Sequence, residues 1–462
     1  MMLTPLRLSV LARHGLAAGL CAVLTVAGSA AHAWSNHAQG SWPALTAMPE
    51  LSGRAPVKVE SLEQFLAAQG GRLAELLAQE EAWARQHVPT YPPLPDELRF
   101  RVDGATPAPL RERFVAALRL NPDSRLTLFL QLPPGQAANG RPTLPWQQVT
   151  SLERSGTVKR QVFLALEEGS MVPVVDVLAT ASDEPDYGLD IGLWEDNGTA
   201  YGKRYRMGRQ PFGNPALEFA SQAPLHMGFF HEASIIYKAA PFLQRTYPEY
   251  RVHLYATLAR FALQQGHDYW GWRFAGWALH YLQDLTQPYH SRVLPGTGVV
   301  GMLWINAVDM AGWGGPKKNA ITLVSNRHLA LENYQLHRLT RGTLETAAGA
   351  ARPDPLVAAL ADVSADGGAV HTPAAIRATI TREAVQGADA LDATIGQHLP
   401  ARFVSDPAYD FGASEPEPDL AALLAGQDAA AARTLDAAVA GLLRSFGRHS
   451  RALVRSLLVD AR

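Results

Sequence analysis

The stretch that most restricts this fold is residues 278–290, Ala-Leu-His-Tyr-Leu-Gln-Asp-Leu-Thr-Gln-Pro-Tyr-His. His280 and Asp284 are four apart, so a helix places them on one face. Pro288 cannot continue that helix, so the chain must turn just before it, and His290 follows the turn. An imidazole and a carboxylate on one helical turn, with a second imidazole at the helix exit, form a compact set of zinc ligands. A second pair with the same spacing, His328 and Glu332, lies downstream. One such pair is commonplace on a helix surface. Two pairs and a Pro-x-His tail in one region point to more than one metal.

These residues resemble a known signature. His280-Tyr-x-x-Asp284-Leu-x-Gln-Pro-x-His290 is similar to the motif of the zinc-dependent phospholipase C family, whose wider superfamily includes the S1/P1-type nucleases. His328-Leu-Ala-Leu-Glu332-Asn-Tyr is similar to that family's second element. Gln283 stands where the family usually has Gly or Thr, a departure at a position that is not a ligand.

The N-terminus agrees with this. Residues 1–33 read as a secretory signal: Arg7 and Arg13 supply the positive start, 15–28 the apolar run, and Ala31-His-Ala33 the cleavage site. Cleavage leaves Trp34 first, and a free α-amine with the carbonyl of the same residue can chelate a metal. The family opens its mature chain with a chelating Trp followed by a histidine. Trp34-Ser-Asn-His37 fits, with His37 closer to Trp34 than is usual. Cys21, the single cysteine, falls within the signal, so an exported mature chain would rest on its core and on metals rather than on disulfides. The expected location is periplasmic or secreted, with no transmembrane segment in the mature chain.

The composition, 47% hydrophobic and 18% charged, supports a substantial core, and a net charge of −2 does not suggest a charge-driven polyanion binder. We expect a mainly α fold. A helical zinc domain spans 181–462, and 34–180 carries the N-terminal ligands plus a smaller α+β insertion. Within that insertion, 61–88 and 109–120 have helical spacing, with Gly70-Gly71 a weak point in the first, while 98–102, 125–132 and 158–166 alternate like strands. Residues 171–180 are expected to be helical. Residues 251–285 read as helix with a break near Gly266, and the alanine-rich tail reads as helices over 374–399 and 420–459.

The resemblance implies three zincs and a phosphodiester hydrolase, most directly a phospholipase C acting on phospholipid. A single-strand nuclease of the S1/P1 type and a non-catalytic, zinc-stabilised binding module are the alternatives. It assigns His231, His280, Asp284 and Asp186 to the first zinc, His290, His328 and Glu332 to the second, and Trp34, His37 and a bridging Asp284 to the third. Asp186 is also the expected general base. Two choices stay open: Asp186 or Asp190 within an acidic loop that also holds Asp183 and Glu184, and His231, reached by ungapped counting, or His226, supported by local similarity. The 37 residues between His290 and His328 include an apolar, Gly-rich run at 298–313. It reads either as core packing or as a lid in peripheral contact with a membrane, Trp304 and Trp313 suiting a lipid–water boundary.

Overall fold

The computed structural model describes residues 36–102, 109–152, 156–213, 219–367, 375–413 and 418–460. Residues 1–33, read above as a signal, and Trp34 lie outside them. Helix makes up 64% of the structure and strand 3%, a mainly α fold as the sequence leads one to expect.

The elements that place the site are, in chain order, α1 (His37–Thr46), α2 (Leu62–His87), α3 (Val174–Asp183), α4 (Pro248–Gln264), α5 (Asp268–Asp284), α6 (Pro288–Ser291), α7 (Val299–Met310), α8 (Gly315–Ala347), α9 (Pro355–Ala361), α10 (Thr381–His398) and α11 (Ala429–Asp460). Helix α5 is the centre. It carries Trp270, Trp272, Phe274, Trp277 and Tyr281, all buried. A helix apolar all round belongs inside a core. Helix α4 packs alongside it after a reversal at Gly266, whose φ of 78° is open to glycine at little cost.

Two main cores result. One joins α5 and α4 to α3, α2 and the last turns of α11 through Leu453, Val454 and Leu457. The other joins α8, α9 and α10 to the first half of α11 through Leu435, Val439, Leu443 and Phe446. The 32 residues of α11, about 48 Å of helix, thus tie the two cores together. Gly276 lets α5 meet α3 closely: a Cβ there would lie 2.4 Å from that of Ala181.

The strands are short and fall within the expected insertion. β1 (Val57–Lys58) pairs antiparallel with β5 (Met171–Val172), and β4 (Phe163–Ala165) pairs antiparallel with both β2 (Phe129–Gln131) and β3 (Thr143–Leu144). Several local expectations need correction. Residues 98–102 form no strand; Phe100 instead anchors the loop edge-on against Phe114 at 5.7 Å. The 158–166 run starts as the end of a helical turn before it becomes β4. Residues 171–172 are strand, and Pro173 then caps α3. Gly70-Gly71 does not break α2, which runs unbroken from Leu62 to His87. The 298–313 run is helix α7 for most of its length. Helix α3 crosses the expected boundary at 180–181, and Val57 to Leu130 share one core with α5.

Candidate metal centre

Each candidate ligand stands on an element with a definite reason for its position. His280 and Asp284 occupy the last turns of α5, four residues apart on one face. The Gln287 side chain accepts from the Tyr289 amide at 2.6 Å and starts α6, which delivers His290. His37 opens α1, whose N-cap Asn36 accepts from the Gln39 amide at 2.7 Å. Asp186 sits in the turn Glu184–Tyr187, directly after α3. His226 ends the single turn Ala223–His226. His328 and Glu332 lie on the buried face of α8.

The fold brings these eight side chains together in three buried groups, His37–His280–Asp284, Asp186–His226–His280 and His290–His328–Glu332. Any of the three could hold a metal ion. Asp284 is the hub. Its Oδ1 faces His37 Nε2 at 3.3 Å, and its Oδ2 lies 2.8 Å from His226 Nδ1 and 3.4 Å from His280 Nε2. Asp186 stands slightly further off, 3.9 Å from His37 Nε2 and 3.8 Å from His280 Nε2, with its Oδ1 accepting from Gln222 Nε2. His328 Nε2 lies 2.8 Å from Glu332 Oε1.

The histidines are aimed by their other ring nitrogens. His280 Nδ1 lies 2.7 Å from the Ser182 carbonyl, and His290 Nδ1 lies 3.0 Å from the His226 carbonyl. His37 Nδ1 lies 2.9 Å from Gln283 Oε1, whereas His226 Nε2 faces Asp190 Oδ2 at 3.3 Å without a hydrogen bond. Tying one nitrogen to an acceptor fixes the tautomer and presents the other to a metal. Among the described residues, His37 Nε2, His290 Nε2 and Asp284 Oδ1 are buried and make no hydrogen bond. Unpaired buried polar atoms are costly, and a shared cation would satisfy them. Ligand atoms on a tetrahedral zinc with bonds of 2.0–2.1 Å stand about 3.3 Å apart. The His37–Asp284 and His280–Asp284 separations match that spacing, so the residues present fit a zinc-sized ion.

Burial and the close carboxylates shift the imidazoles in opposite directions. Burial pulls His37 down, but the Asp284, Asp186 and Asp183 carboxylates outweigh it and lift it to about 9. Burial likewise opposes charge on His226, and Asp190 and Asp284 lift it to about 10. His280, buried and facing His37, is pushed down to about 3, as is His290, chiefly by burial. Burial alone would raise Asp284; the surrounding imidazoles hold it well below the usual carboxylate range.

Position separates the members of two pairs of candidates. His231 does not join the cluster: its Nε2 lies 3.0 Å from the Arg377 carbonyl and 2.9 Å from Thr381 Oγ1, so His226 takes the place the ungapped count gave to His231. Asp186 faces the histidines, while Asp190 accepts from Arg251 at 2.5 Å and from the Tyr281 hydroxyl at 2.6 Å and backs His226. The acidic loop is buried rather than solvated; Glu184 is clamped by Arg273 and Trp277.

The sequence reading passed over Gln283 as neutral. Its Nε2 lies 2.9 Å from Ser41 Oγ and 3.0 Å from Ser450 Oγ, so α1, α5 and α11 meet at the amide that orients His37. No spacing rule would have found it; the departure from the familiar motif was the one signal. Compared with known proteins, the chain matches no family model, no curated protein and no solved structure. The likeness to the zinc-dependent phospholipase C family therefore rests on the motif residues and on their convergence.

Proposed function

We propose that this protein is an exported, zinc-dependent phosphodiester hydrolase of the phospholipase C kind. The observation that carries the reading is the convergence of eight histidine and carboxylate side chains from separate elements on a buried centre hinged on Asp284. Mixed nitrogen and carboxylate donors suit zinc. His226, His280, Asp284 and Asp186 would hold one ion, His290, His328 and Glu332 a second, and His37, Asp284 and the mature Trp34 terminus a third. Zinc there would supply Lewis acidity toward a phosphoryl oxygen and activation of water near neutral pH. Asp186, less tightly engaged than Asp284 and steadied by Gln222, takes the proton from the attacking water. The water oxygen bonds to phosphorus, the ester bond breaks, and the leaving alcohol takes a proton from solvent.

One observation favours a second reading, in which the metals only stabilise the fold. All eight residues are buried, none more than 5% exposed, and closed sites are the mark of structural zinc. The deciding experiment is turnover of p-nitrophenylphosphorylcholine by the mature protein, with and without chelator, beside single-stranded DNA. Chelator-sensitive release of nitrophenol supports the proposal. Cleavage of DNA alone transfers the activity to a nuclease. Stoichiometric zinc with neither activity supports the structural reading.

A further inference from the structure

Helix α7 has no equivalent need in a metal site, yet it fills the connection between His290 and His328. It is apolar on every side except Asn306 and Asp309. Its inner side, through Met302 and Leu303, joins a small satellite core with Phe229, Ile236 and Leu243. Its outer side is exposed. Val300 is 82% exposed, Trp304 58%, Met310 48% and, just past the helix, Trp313 72%. Val300, Trp304, Ala307 and Ala311 follow one another at helical spacing along this face. Ile235, on the adjoining turn Ser234–Ala239, is exposed as well. Both tryptophans that stand exposed among the described residues are in this patch.

Behind the helix runs an apolar groove of about 150 Å³, walled by Phe242, Leu243, Val293, Leu294, Leu303 and Ile321. Val293 and Leu294 follow His290 by three and four residues, and Val324, also on the groove wall, lies one turn before His328. The groove wall is thus joined along the chain to the elements that carry His290 and His328. On the proposed function, an occupant with an apolar tail in the groove would carry its polar end toward the His290–His328–Glu332 group.

We infer that α7 and Trp313 form a docking surface for a phospholipid membrane, and that the groove behind them receives the first methylenes of a lipid tail. The choice of occupant rests on the chemistry of the patch. Tryptophan favours the lipid–water boundary over either bulk phase. The rim is basic: Lys318 and Lys238 are exposed, and Lys317 is paired with Asp309 at 2.8 Å, in a chain whose net charge is −2. Lysines beside an apolar helix complement headgroup phosphates. Twelve residues make about 18 Å of helix, too short to cross a bilayer and suited to lying in its surface. The inference deepens the proposed function, on which it rests only for the direction in which the lipid would point.

The test uses the mature zinc-loaded protein and two readouts. Binding is measured in the cold by co-sedimentation with phosphatidylcholine vesicles with and without phosphatidylglycerol, and by quenching with bromine-labelled lipid. Turnover is measured on dihexanoyl-phosphatidylcholine below its micelle concentration. The expected result is vesicle binding with tryptophan quenching. A Trp304→Ser, Trp313→Ser double variant should bind at least about tenfold more weakly, with soluble turnover within about twofold of the parent. Parent protein that ignores vesicles, or a double variant that binds as well as the parent, overturns the inference. So does a parent that is a dimer in solution and becomes monomeric on Trp304→Glu, which would assign the face to a second copy. Vesicle binding without any soluble turnover leaves the docking surface standing and removes the hydrolase reading.

Discussion

Among the carboxylates close together around α3 and α5, four fall into two kinds. Asp190 and Glu184 are each met by a buried arginine, Arg251 at 2.5 Å and Arg273 at 2.9 Å. Asp284 and Asp186 are met by imidazoles, namely His37, His226 and His280 for the first and His37 and His280 for the second. An arginine brings permanent charge and five donors, so a carboxylate beside it is settled. A cluster of imidazoles cannot all be charged, and here two are raised and one is driven down. The first arrangement holds helices together. The second draws protons onto two buried imidazoles, and a bound cation could take the place of those protons.

The largest effect should come from the hub. Asp284→Asn removes the charge that the proposed assignment shares between two ions, and turnover should fall at least about 10³-fold while zinc content drops by more than one ion. Metal analysis of the folded variant, beside its kinetics, checks this. Retained turnover would place Asp284 with Asp190 and Glu184 as a framework residue.

The arginine-paired carboxylates should answer in stability instead. Arg251→Met leaves Asp190 buried without its cation, and loss of about 3–5 kcal/mol is expected in denaturant unfolding. The same pair gives a pH signature. Burial alone would raise Asp190, but Arg251 outweighs it and holds the carboxyl below its usual range. Its folded value thus lies below the unfolded one of about 3.9. Its contribution is fully present above that unfolded value and is lost as pH falls through the folded value. Asp190→Asn should flatten the acid limb of the stability curve below about pH 4.

The contrast was only partly legible in the sequence. The i, i+4 pairs and the proline stop were, because a helix turns such spacings directly into geometry. The break at Gly266 was legible for the same reason. The choice between His226 and His231 was not. It depends on how the segment after Gln222 reaches α5, and counting residues from His280 carries no information about a path through an irregular loop. The burial of the acidic loop was not legible either, because Arg251 and Arg273, which pair with Asp190 and Glu184, lie far along the chain from them. Gln283 read as neutral because its partners, Ser41 and Ser450, are contributed by the two ends of the chain. The short strands were overcalled where apolar alternation, as at 98–102, serves loop anchoring.

Smaller changes sharpen the comparison. Gln283→Leu removes the acceptor that orients His37 and should weaken one zinc about 10–100-fold, the usual cost of losing such a support. Competition with a fluorescent chelator would read one weakened site and two unaltered ones; equal affinity at all three would reduce Gln283 to packing. The smallest effect is expected at His231, half-buried and away from the cluster. His231→Ala should cost about 1 kcal/mol of stability, the worth of a hydrogen bond, and leave zinc content unchanged, whereas His226→Ala should lose zinc.

The central claim is that the imidazole-lined carboxylates exist to hold metal. Its most direct test is metal analysis of the mature protein beginning at Trp34, joined to thermal unfolding before and after chelation. The account predicts about three zincs, lost together with a marked drop in melting temperature when the chelator is added. Protein that carries no stoichiometric metal, and melts at the same temperature with and without chelator, would contradict it.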